Sequence, residues 1–175
     1  MFYERLSQRR WWPIYGAVAG LLMLGCQSLS NALPDISSNS ASAGQRLPIT
    51  AQAIVAGQTI DLEVAQTQDQ QAMGLMFRDS LPDNRGMLFP FNPPRNIGFW
   101  MKNVPVPLDM VFLYQGKVVG IEASAPPCKS LPCPTYSPQS LVDNVLELRA
   151  GRAAELGLKN GIPVQVQTLP ESKTQ

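Results

Sequence analysis

Histidine is absent from all 175 residues. That excludes Ser-His-Asp and Cys-His nucleophile pairs, imidazole metal ligands and a histidine proton shuttle near neutral pH. Cysteine is scarce, with three copies, and no second Cys/His pair is available to complete a zinc shell. Charged residues amount to 15%, so the surface is polar more than ionic. The apolar run Ile14 to Leu24 is 11 residues long, whereas crossing a bilayer takes about 20. No internal repeat is present. What remains is a chain long enough for one domain with a hydrophobic content of 45%.

The first segment has the grammar of an export signal. Arg5, Arg9 and Arg10 form a positive region ahead of the short apolar run. "LMLGC", Leu22 to Cys26, resembles a bacterial lipoprotein box, although Met23 and Leu24 depart from its commonest form. Lipidation of Cys26 after removal of residues 1–25 is one expectation; cleavage after Ala32, giving a soluble secreted protein, is the other. Loss of residues 1–25 leaves 11 basic and 12 acidic residues, net −1. That balance carries no electrostatic footprint for DNA or RNA.

Residues 26–47 are rich in Ser, Asn, Ala and Gly and predict a flexible tether. From Pro48 to residue 169 the pattern is that of a domain, with a short tail at 170–175. "ITAQAIVAGQTIDLEVA" predicts a hairpin turning at Gly57, with Ile60, Leu62 and Val64 on one face. "TQDQQAMGLM" predicts a short helix capped by Thr67 and Gln70, with Ala72, Met73 and Met76 on one face. "GMLFPF", "IGFWMKN", "LDMVFLY", "KVVGIEA", "NVLELRA" and "IPVQVQT" predict further strands, and "GRAAELGL" a second short helix. The fold class is therefore mainly β: a single compact sandwich or open barrel of about eight short strands with two short helices.

Cys128 and Cys133, in "PPCKSLPCP", predict a disulfide in an oxidising compartment. Closing so small a loop stabilises by roughly 2 kcal/mol on the chain-entropy estimate. Four intervening residues, where metal and redox pairs have two, make the pair a staple that shapes a loop.

Four ordered motifs then point to a family. "GLMFRDSLPDNRGMLFPF", "FWMKNVPVPLDMVFL", "PPCKSLPCPTY" and "VLELRAGRAAELGLKNG" together resemble the domain of unknown function 192 family, from about residue 50 to 168. Val104 stands where relatives usually carry Thr, and Pro163 where an Asp is common. The resemblance implies a compact β-sandwich-like fold and brings no established activity or cofactor.

The residues themselves supply the candidate chemistry. Alternation in "LDMVFLY" puts Leu108, Met110, Phe112 and Tyr114 on one face and Asp109 with Val111 and Leu113 on the other. A carboxylate among apolar neighbours must be paired, hydrogen-bonded or protonated. Arg78, Lys102 and Asn103 are the expected partners. Three readings follow: a buried structural pair, a polar pocket walled by Trp100, or general-base catalysis by Asp109 with Lys102. Glu147 alternates with Val145 against Leu146 and Leu148, so it faces solvent or meets Asp109 or Glu122. Two carboxylates at the right separation suit acid/base work on a glycoside. Met73, Met76, Met87, Met101 and Met110 fill core gaps or, as thioethers, suit Cu(I). Arg78 clamps an anion or ties a helix end to a loop, and Arg95 is expected to be exposed.

The combined expectation is an exported, lipid-anchored envelope protein with a binding or accessory role. Its pocket is built from Arg78, Trp100, Lys102, Asn103 and Asp109, for a small ligand or an envelope protein, with no cofactor and no nucleic acid. The competing classes are a hydrolase using Asp109 and Glu147, and a copper-binding protein using methionines. A hydrolase needs both carboxylates in one cleft, and a copper site needs three sulfurs converging.

Overall fold

A computed structural model describes residues 44–170. The export signal, Cys26 with its lipidation or the cleavage after Ala32, the tether up to residue 43 and the tail from 171 lie outside the described residues. No helix among the described residues is long and apolar enough to cross a membrane.

The chain runs β1 (Ile49–Val55), β2 (Gln58–Val64), α1 (Gln68–Met73), β3 (Arg85–Arg95), β4 (Leu108–Tyr114), β5 (Lys117–Ala125), β6 (Val142–Arg149), α2 (Arg152–Glu155) and β7 (Gln165–Thr168). The β1–β2 hairpin turns at Ala56 and Gly57, both with positive φ (48° and 76°). That is the left-handed pair a two-residue hairpin loop requires. The second tight hairpin, at Gln115 and Gly116, repeats it with φ of 50° and 71°. α1 starts where expected, because Thr67 Oγ1 accepts from the Gln70 N–H at 3.2 Å and Gln70 Oε1 accepts from the Thr67 N–H at 3.1 Å. The helix buries no side chain of its own.

One seven-stranded sheet results, in the order β5-β4-β6-β3-β2-β1-β7. All neighbours are antiparallel except β2 and β3, which α1 joins as a parallel pair. The sheet's two edges approach each other. Lys117 bridges Pro163 just before β7, and the Val118 N–H donates to the Ile162 carbonyl at 3.0 Å. The strict alternation of the strands then gives two cores. Ala51, Ala53, Val55, Ile60, Leu62, Leu88, Val111, Leu113, Leu146 and Leu148 form one with α2. Met87, Phe89, Phe91, Leu108, Met110, Phe112 and Val145 form the other, on the opposite face, under the long connections. Each such side chain removed from water contributes about 1.5–3 kcal/mol before entropy is counted.

Two expectations change. "IGFWMKN" is not a strand: only Phe99 pairs, with Tyr136, through N–H···O bonds of 2.9 and 2.8 Å. Both neighbouring sheet positions are already taken, so this segment becomes a strap across the second core. The domain also begins before Pro48. Gln45 Nε2 donates to the Gln70 and Gly74 carbonyls, and the Leu47 N–H donates to Glu63 Oε2 at 2.8 Å.

Candidate functional site

Asp109 is completely buried and meets none of its expected side-chain partners. It accepts three backbone N–H groups instead: Ser124 at 2.8 Å, Gly151 at 3.0 Å and Ala153 at 2.8 Å. The reason is local. β5 carries one extra residue opposite β4, between the Leu108–Ala125 and Met110–Glu122 pairs, and Ser124 there has a positive φ of 52°. A bulge frees an N–H from the ladder. α2 begins at Gly151, which has no side chain with which to cap it. Asp109 satisfies both needs from a neighbouring strand, as a helix cap delivered at long range. The pocket expected around it, and general-base chemistry with Lys102, are therefore corrected: Asp109 is a structural acceptor.

Arg78 is placed elsewhere again. Its Nη1 donates to both oxygens of Glu63 at 3.1 Å and to the Gln45 carbonyl at 3.0 Å, and both side chains are buried. This is the tie between a loop and the sheet. Arg95 is exposed, over the Phe91 ring at 4.7 Å. Cys128 and Cys133 are bonded, with Cα atoms 5.6 Å apart. The Cys128 N–H donates to the Met101 carbonyl at 3.2 Å, so the stapled loop holds the strap from behind.

Glu147 sits on β6 in the middle of the sheet, directly paired with Met87 on one side and Met110 on the other. Asp109 pairs with Leu148, the next residue along, so the two carboxylates project from opposite faces. The hydrolase reading needs them in one cleft; the pleat of the sheet overturns it. Glu122 shares the Glu147 face but lies two strands away, beyond Met110, roughly 10 Å by strand spacing. It lines a separate cavity with Ser137 and Pro138.

Glu147 is 5% exposed, and its Oε2 has no hydrogen-bond partner. Burial pushes its carboxyl up to about 8, so it is mostly protonated at neutral pH. A buried carboxyl oxygen left without a partner costs about 1–3 kcal/mol; among the described residues the other buried side-chain atom without one is Arg78 Nε. It lines a cavity of ≈ 30 Å³ with Met73, Met76, Phe89, Phe99, Trp100 and Lys102. That volume holds about two waters.

Three segments build the walls. β3 supplies Phe89, the end of α1 and the turn after it supply Met73 to Met76, and the strap supplies Phe99, Trp100, Lys102 and Val104. Phe99 is wedged edge-on against Phe89 at 5.0 Å and near Phe112 at 6.2 Å. Trp100 is 48% exposed at the mouth, with the Lys102 ammonium 5.3 Å from its ring centre. Phe77 and Asn103 hold left-handed φ of 61° and 57°, and the Phe77 N–H donates to the Asn103 carbonyl at 2.8 Å. Such strain persists only where the surroundings enforce it. Of the five expected pocket residues, Trp100 and Lys102 line the cavity and Asn103 adjoins it. Arg78 and Asp109 do not take part.

The DUF192 family, described as an uncharacterized ACR, matches residues 51–166. The chain belongs to this family. Two solved structures are similar to it. One is a protein of unknown function from Novosphingobium aromaticivorans, 33% identical, covering 72% of this chain and 94% of its own, with a TM-score of 0.60. The other, from Sinorhizobium meliloti and named provisionally as a transcription regulator, is 30% identical, covering 70% and 98%, with a TM-score of 0.61. No curated protein matches the chain significantly. As a DUF192 domain the chain shares its fold with these two structures.

Proposed function

We propose that this DUF192 protein is an exported, lipid-anchored envelope protein with a non-catalytic binding role. Its site is the cavity that ends at Glu147. The observation that carries this reading is the unpartnered, buried Glu147 oxygen facing a space walled by aromatics and thioethers. Glu63 and Asp109 have fold partners, and Arg78 is held through Nη1, while its unpartnered Nε lies away from the cavity. A ligand would enter past Trp100 and Lys102 and give Glu147 the partner it lacks. Among the described residues, Lys102 is the other titratable side chain in the lining.

The test is a thermal-shift screen of sugars, peptidoglycan fragments, amino acids and metal ions. A ligand that binds only the folded state stabilises it by about 2.7 kcal/mol at a hundredfold excess over its Kd. The expected result is a hit lost in both Glu147→Gln and Trp100→Ala. A hit retained in both variants contradicts the reading. The anchor is tested separately: labelled palmitate should enter the wild type and not Cys26→Ser, whereas a soluble product cleaved after Ala32 would contradict it.

A further inference from the structure

The methionines are not spread through the protein as gap-fillers would be. All five in the described residues lie on the Glu147 side of the sheet. Met87, Met101 and Met110 belong to that core, and Met76 packs against it. Met73 and Met76 line the cavity itself. The opposite core has none. Met87 and Met110 are the direct cross-strand neighbours of Glu147, which places their Cβ atoms about 5 Å from its own. Asn103 Nδ2 lies 3.9 Å from Met76 Sδ, so the strained strap residue orients a thioether.

Size and donor chemistry narrow the occupant. The enclosed part of the cavity is small, ≈ 30 Å³, which suits an ion or the tip of a small ligand better than a whole organic molecule. No cluster of three His, Cys, Asp or Glu side chains exists among the described residues, so a hard divalent ion lacks ligands. Thioethers are neutral and soft, and select closed-shell monovalent ions such as Cu(I). One desolvated positive charge needs one balancing negative charge, and the cavity offers one carboxyl. The aromatic faces of Trp100 and Phe99 favour a cation beside them.

We propose that the cavity binds a soft monovalent cation, Cu(I) or its analogue Ag(I), through the Met73 and Met76 thioethers, with Glu147 standing in place of the third sulfur expected of such a site and serving as the balancing anion. This rests on the binding reading above and names its ligand class. The ion enters as the monovalent species, and no electron transfer is involved. Glu147 supplies the one carboxyl in the cavity lining that can balance the ion's charge. Lys102 is the other titratable group lining the cavity. As a like charge it competes with the ion, and Lys102→Gln should bind more tightly.

The experiment is calorimetric titration of the full chain carrying Cys26→Ser, so that this cysteine supplies no thiolate, with Ag(I), and anaerobic competition for Cu(I) against a chromogenic chelator. One equivalent is expected. Met73→Leu with Met76→Leu, a volume-conserving pair at partly exposed sites, should weaken binding by at least ~10-fold. Glu147→Gln should weaken it, and Met101→Leu, outside the cavity lining, should leave it unchanged. Binding that survives the Met73/Met76 double substitution overturns the proposal. If neither ion binds but an organic hit depends on Glu147, the cation falls and the binding reading stands. If neither ions nor any screened ligand binds, both fall.

Discussion

Glu147 and Asp109 are neighbours across a sheet, and their fates differ because of what each face offers. Asp109 meets a bulge and an uncapped helix, and both give it backbone donors. Glu147 meets methionine and phenylalanine and keeps an unpartnered oxygen. Removing Asp109 leaves three N–H groups stranded, so Asp109→Ala should cost roughly 3–5 kcal/mol in chemical denaturation. Lys102→Gln, with no ion pair among the described residues, should cost little. Glu147 produces a pH signature. Its folded carboxyl titrates near 8, above the ordinary 4.5, so the folded state holds the extra proton. The Glu147 contribution to stability is greatest below about pH 4.5 and falls as pH rises to about 8, by up to about 1.4 kcal/mol per unit. Glu147→Gln should remove this slope, and an unchanged slope would assign it to other groups. The need for a partner at both positions was legible in "LDMVFL" and "VLELRAG"; which partner was not. Asp109 is satisfied by Gly151 and Ala153, more than forty residues away, and no local pattern announces a cap supplied from another strand. The Gly151 that opens "GRAAEL" without a capping side chain was the available hint.

At the scale of elements, alternation was enough to place β1, β2, β4 and β6 and to assign the faces of the last three, because a strict period of two has one reading. The capping box of α1 was equally local. "IGFWMKN" has the same composition as a strand but lacks a free sheet edge to join, and that is a property of topology. Its tie to Tyr136 and Cys128 makes the disulfide loop a support for the strap. Reducing the Cys128–Cys133 bond should therefore lower stability by about 2 kcal/mol. It should also accelerate amide exchange in residues 99–104 more than in β4 or β6. Uniform acceleration would mean that the loop does not brace the site.

For the domain as a unit, the sheet curls until β5 meets the segment before β7, and the second core lies outside the curl under its long connections. The site belongs to that outer core, where three connections converge over β6. Its closure depends on the entry segment as well. Arg78 joins Glu63 to Gln45, and Gln45 in turn holds the last turn of α1. A chain beginning at residue 48 should be less stable than one beginning at 44, by about 1–3 kcal/mol for the lost bonds to Glu63 and Arg78. Composition suggested a tether up to residue 47, since Gln45 and Leu47 carry no periodic signal. Their contacts are visible only once Glu63 and Gly74 are in place.

The most direct measurement is a carbon-detected NMR titration of the Glu147 carboxyl in the folded protein, assigned by its loss in Glu147→Gln. A midpoint near 8 is predicted, moving downward when a cation occupies the cavity. A midpoint in the ordinary carboxylate range without ligand would mean that Glu147 is solvated or already partnered, and the cavity would no longer be the site.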